Sequence, residues 1–134
     1  MSHKVVLITG AARRIGAAIA RSLHAGGMNI VIHYHSSEAE ARVLQNELLA
    51  ARPDSAMLLA SDLLVVKNYE PLIHSILQRW GRLDCLINNA STFYPTYLGQ
   101  WDEADWSDLL GTNLKAPLFL SQAAHKYLQQ QQGC

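Results

Sequence analysis

Val5-Val6-Leu7-Ile8-Thr9-Gly10-Ala11-Ala12-Arg13-Arg14-Ile15-Gly16 is the stretch on which the reading of the fold turns. Its first four residues are apolar throughout, as in a strand buried on both faces. Thr9-Gly10 ends the run. Apolar residues then recur at Ile15, Ile19 and Leu23, the i, i+4, i+8 spacing of one helix face. A strand that turns on glycine into a helix offers the helix N-terminus, with its free N–H groups, to an anion such as a pyrophosphate. Gly10 permits the tight turn, and Gly16, without a side chain, lets helix and strand approach closely. Arg14 stands where the usual dinucleotide pattern has its middle glycine. A plain strand-to-helix turn is the alternative.

The same alternation continues along the chain. Gly26-Gly27 closes the first helix. Residues 29–34 read as a second strand. Ser37-Glu38-Ala39-Glu40 has capping-box spacing and predicts a helix through Val43 and Leu48 that ends before Pro53. Residues 56–60 are a third strand, residues 67–80 a third helix that stops at Gly81, and residues 85–87 a fourth strand. After an irregular stretch with Pro95 and Gly99, a long helical region covers residues 106–131, with a kink expected at Pro117. The order βαβαβαβα, with strands apolar throughout, predicts an α/β fold: a parallel sheet between two helix layers. No linker or repeat divides residues 1–134, which are read as one domain.

Composition excludes several classes. The chain has 134 residues, 49% hydrophobic and 16% charged, too apolar for a disordered tail. Eleven basic and eleven acidic residues cancel, so neither nucleic acid nor a membrane surface is an expected partner. No apolar run approaches the roughly 18 residues that span a bilayer. Met1-Ser2-His3-Lys4 leads directly towards the first strand without the apolar core of a signal peptide. Cys85 and Cys134 read as two isolated thiols, and the expected location is the cytoplasm.

The end of the second strand bears on the cofactor. An NAD site usually places an acid there to hold the ribose hydroxyls. This chain has His33-Tyr34-His35-Ser36-Ser37 and no carboxylate. Hydroxyls, imidazoles and a helix N-terminus accept a 2′-phosphate, and Arg14 adds charge. NADPH is therefore the expected cofactor. His33 and His35 alternate on the strand and could form half a metal site, but no third ligand is near, and no metal is expected.

These residues resemble the short-chain dehydrogenases/reductases. Thr9-Gly10-(x)3-Arg14-Ile15-Gly16 is similar to their cofactor turn, and Ser61-Asp62-Leu63 to the end of their third strand, whose Asp contacts adenine. Gly81-Arg82-Leu83-Asp84-Cys85-Leu86-Ile87-Asn88-Asn89-Ala90 is very similar to their fourth-strand motif, and Asn113 to the Asn counted with their catalytic group. A helix N-cap is the alternative role for Asp62. Arg14, the His-Tyr-His segment, and Ser91 and Phe93 after Asn-Asn-Ala make the chain most similar to pteridine reductases. The resemblance implies a Rossmann-type, doubly wound sheet in three αβα layers. It implies NADPH held by Gly10, Arg13, Arg14, Ile15, Gly16, His33 through Ser37, Asp62, Leu63, Asn89, Ala90 and Ser91. It implies a pterin substrate, with Ser91 hydrogen-bonding it and Phe93 stacked on its flat ring. A core aromatic and a loop hydroxyl are the plain alternatives for these two.

The resemblance also implies catalysis by a Tyr with a Lys four residues later, after a fifth strand. No such pair occurs here: Tyr94 and Tyr97 lack the Lys, and Lys115 precedes Tyr127. The chain is therefore expected to be the N-terminal half of a reductase, cut after the fourth strand and its helix. It should leave the fourth strand with an open edge and not transfer hydride efficiently by itself. The family implies a homo-oligomer, a tetramer at full length, built on the helices near residues 105–131. The expected function is reduction of a dihydropterin to a tetrahydropterin. A reductase of another carbonyl or imine, or an NADPH-binding module without chemistry, remains the alternative.

Overall fold

The computed structural model describes residues 3–134, so the Met1-Ser2 start lies outside the described residues. The elements are β1 (Val5–Ile8), α1 (Arg14–Ala25), β2 (Asn29–Tyr34), α2 (Glu38–Ala51), β3 (Ala56–Ala60), α3 (Tyr69–Trp80), β4 (Cys85–Ile87), α4 (Glu103–Leu110) and α5 (Ala116–Gln130). The strands pair in parallel in the order β3-β2-β1-β4. Leu7 lies opposite Val31 on one side and Leu86 on the other.

Successive strand residues point to opposite faces, so each apolar run feeds two cores. Val6, Ile8, Ile30 and Ile32 pack against α1 and α2 through Ala17, Ala20, Leu44 and Leu48. Val5, Leu7 and Val31 pack against α3 and α5 through Ile73, Ile76, Leu120 and Ala124. The result is the three-layer, doubly wound arrangement that the apolar runs predict. The chain leaves β1 towards β2 on one side and reaches β4 on the other. A crevice therefore opens at the C-terminal ends of β1 and β4, where this class of sheet binds ligands.

Several details differ from the sequence reading. Ser37 precedes α2, but its side chain makes no capping bond. Its backbone (φ −91, ψ 55) is not the extended form that aims a cap, and Glu40, the acid of the expected box, faces Arg13 at 3.7 Å instead. The capping box stands at α4, where Asp102 accepts from the Asp105 N–H at 2.8 Å and Asp105 accepts in return from the Asp102 N–H. A 3-10 turn over Val66–Asn68 delays α3 to Tyr69.

The last helical region starts at Glu103 and is interrupted by a π turn over Gly111–Lys115. Pro117 sits in the first turn of α5 rather than in a kinked interior. It has no N–H to give the Asn113 carbonyl, and just before it the Ala116 N–H reaches Gly111, five residues back.

The outer edge of β4 is not bare. Cys134 donates its N–H to the Asp84 carbonyl at 2.9 Å and accepts from the Leu86 N–H at 2.8 Å, flanking Cys85 in a ladder pattern. The two thiols, read as isolated, meet: Cys134 Sγ donates to Cys85 Sγ at 3.4 Å, with no disulfide between them. Beneath them, buried Asp84 accepts from the Val5 N–H at 2.7 Å and from both arms of Arg82.

Candidate functional site

The crevice is a cleft of about 580 Å³ lined by the glycine turn, the end of β2, Asp62-Leu63 and the residues after β4. Every residue expected to hold the cofactor lines it, from Gly10 to Ser91. Asp108 and Thr112 line it too, and sequence reasoning missed both. Their signal was absent because they arrive from α4 and the π turn. Phe93 and Asn113 do not line it.

The turn has the shape that an anion needs. Gly10 has φ +60, and a side chain there would press on Ala90. A Cβ on Gly16 would collide with the Gly10 carbonyl and lie 2.7 Å from the Asn89 amide nitrogen. The start of α1 has no side-chain cap and no acid in its first turn, so its N–H groups are free for an anion. Arg14 has φ +51, a left-handed conformation that favours glycine. That explains why glycine is usual here, and it points to a role that offsets the strain of about 1–2 kcal/mol. Arg14 is exposed and has no ion-pair partner among the described residues, whereas Arg13 lies 3.7 Å from Glu40.

Two side chains hold the turn from behind. Thr9 accepts at Oγ1 from the Asn89 and Ala90 N–H groups, each at 3.0 Å. Asn89 donates from its amide nitrogen to the Thr9 and Gly10 carbonyls at 2.9 and 3.0 Å. Asn89 thus clamps β4 to the turn. Thr9 was missed as a site residue because its partners lie some 80 residues away.

At the end of β2, Tyr34 is buried while His35 and Ser36 are exposed. His33 is 2% exposed. Its Nδ1 accepts from the Gly10 N–H at 3.2 Å, so its proton sits on Nε2, which donates to the Ser61 carbonyl at 3.0 Å. Burial pushes this imidazole down to about 4, against the opposing Ser61 bond, and nearby His35 lowers it further. With both nitrogens committed, His33 cannot join His35 on a metal without breaking the turn. Asp62 accepts from the Leu64 N–H at 2.8 Å, closing a turn after β3 rather than capping α3.

The loop after β4 is tied to the π turn. Asn113 accepts from the Thr92 N–H at 3.1 Å and donates to the Thr92 carbonyl at 2.7 Å. The Asn expected among the catalytic residues is thus bonded to backbone, and Phe93 beside it is 90% exposed. The Tyr94 phenol is pushed up to about 12 by partial burial and by the Asp108 and Asp105 carboxylates. That is the opposite of a proton donor tuned for neutral pH.

A parallel sheet whose glycine turn faces the switch point defines the class: a Rossmann-type α/β domain. The model of the short chain dehydrogenase family matches residues 4–134. The chain belongs to that family. It is 37% identical over 150 residues to pteridine reductase 1 of Leishmania tarentolae, covering 89% of this chain and 52% of that protein. It is 31% identical to a 3-oxoacyl-acyl-carrier-protein reductase of Staphylococcus aureus, covering 97% of this chain and 53% of the relative. It is 32% identical to hydroxynaphthalene reductase of Aspergillus fumigatus, covering 96% and 47%. The chain thus spans about half the length of the curated relatives it matches.

Proposed function

We propose that this chain is the cofactor-binding half of an NADPH-dependent reductase that converts a dihydropterin to a tetrahydropterin. The observation that carries the cofactor reading is Arg14. It holds a strained backbone and an unpaired cation at the mouth of a cleft whose β2 end bears His35, Ser36 and Ser37 and no acid. A guanidinium bonds phosphate oxygens in a planar fork. The pyrophosphate fits the uncapped start of α1, and Asp62 stands where an adenine amine would be met. Bound NADPH supplies the hydride. The residues of this chain bind and orient it. The Tyr and Lys that would manage the proton are not among these 134 residues.

Arg14→Ala should weaken NADPH binding about tenfold to a hundredfold, the loss of a charged hydrogen bond, and change NADH binding by less than about twofold. Equal losses measured by fluorescence titration would sink the phosphate assignment.

The pterin reading is supported by the similarity to pteridine reductase 1 and by Phe93, a bare aromatic face one loop from the cleft. The likeness to reductases of quite different names supports a second reading, a reductase of another carbonyl or imine. Phe93→Ala separates them in the purified enzyme. Pterin turnover should fall at least about tenfold if the ring stacks on substrate, and an unchanged rate favours the second reading.

The same reading expects a homo-oligomer. Trp106, Leu114 and Leu118 are exposed along α4, the π turn and α5, an apolar strip suited to a second copy. The neighbouring thiols, hydrogen-bonded and not joined in a disulfide, suit a reducing compartment such as the cytoplasm. Among the described residues no helix is long and apolar enough to cross a membrane.

A further inference from the structure

We propose that His33 is a positioning residue, whose neutral imidazole selects the backbone N–H groups that the glycine turn offers to an anion. The inference deepens the reading of the cleft as a dinucleotide site and rests on it. Residue 33 holds the turn twice. Its Nδ1 takes the Gly10 N–H at 3.2 Å, and its carbonyl takes the Ala11 N–H at 2.9 Å. The Thr9 N–H goes to the Ile87 carbonyl, and the next two donors, Gly10 and Ala11, are thereby withdrawn. The donors that follow, from Ala12 into the first turn of α1, are left for a pyrophosphate.

The other end of the ring reaches a third strand. Nε2 donates to the Ser61 carbonyl, next to Asp62 in the cleft wall. One buried side chain thus couples the ends of β1, β2 and β3. It fixes the pyrophosphate turn and the adenine wall together. Neither depends on a 2′-phosphate. A residue that bonded the 2′-phosphate directly would act differently, because its loss would touch NADPH alone. The ring nitrogens are already filled, so such a phosphate would have to break one of these bonds.

The test is a pair of variants, His33→Phe and His33→Asn, titrated with NADPH and NADH. Phe keeps the bulk and removes both hydrogen bonds. Asn keeps an acceptor close to the Nδ1 position. The expected result is a loss of about tenfold for both nucleotides in His33→Phe, with their ratio unchanged, and recovery to within about threefold in His33→Asn. A loss confined to NADPH, or an Asn variant no better than Phe, would overturn the inference and leave the NADPH reading standing. Wild-type protein that bound neither nucleotide would overturn the dinucleotide reading, and this inference with it. Should the Phe variant fail to fold, ¹⁵N NMR of the wild-type imidazole decides. An Nε2–H tautomer upholds the bridge, and an Nδ1–H tautomer overturns it.

Discussion

His33 shows how much one residue can carry when its partners are backbone atoms. Its folded imidazole titrates at about 4, against 6.5 in an unfolded chain. As the pH falls, the unfolded state takes up the proton first. The contribution of His33 is therefore complete above pH 6.5 and lost between 6.5 and about 4, by up to ~3 kcal/mol. His24, buried beside Ser55 and lowered by burial and by Arg52, adds in the same direction. At Asp84 burial raises the carboxyl, but the Arg82 bond and the Val5 N–H outweigh it and hold it below 3.8, so its contribution is lost only at lower pH. Urea unfolding should show midpoints that fall from pH 7 to pH 4, with a shallower fall in His33→Asn. An identical slope in that variant would remove His33 from the account. None of this was legible in the sequence. The sequence reading gave His33 to the 2′-phosphate of NADPH, and its backbone partners lie 23 and 28 residues away, beyond the reach of a local pattern.

At the level of elements, the strands were the most legible part. Runs apolar on both faces leave little freedom, and all four strands fall on the residues read from the sequence. The glycine turn was equally readable, because Gly16 has no room for even a methyl group. Gly16→Ala should therefore cost more than about 2 kcal/mol and abolish nucleotide binding, by thermal unfolding and titration respectively. A variant of normal stability that still binds would show that the turn has slack. Helix ends were harder to read. The Ser37 pattern matched a capping box, yet its backbone takes a conformation that does not aim the cap. The box formed at Asp102 and Asp105, with an acid shorter than the motif expects. The π turn before Pro117 was hidden for a related reason. The sequence shows where a hydrogen bond must be lost, but not how the chain before it rearranges. That turn carries Thr112 into the cleft and Asn113 onto the Thr92 backbone, so the missed element supplies one of the missed cleft residues.

On the proposed reading the molecule as a whole is a cofactor platform. Two apolar cores clamp a four-stranded sheet, and the strand order opens one crevice where β1, β2 and β4 end. The residues that sequence reading assigned to the cofactor do line it, while Asn113 and Phe93 stand outside, Phe93 facing solvent. The central claim is that this crevice is built for a 2′-phosphate. The most direct measurement is the dissociation constant of the unmodified protein for NADPH and for NADH, titrated side by side in one buffer of moderate salt. The account expects NADPH to bind at least about tenfold more tightly, the value of one charged hydrogen bond. Equal affinities, or tighter binding of NADH, would contradict it.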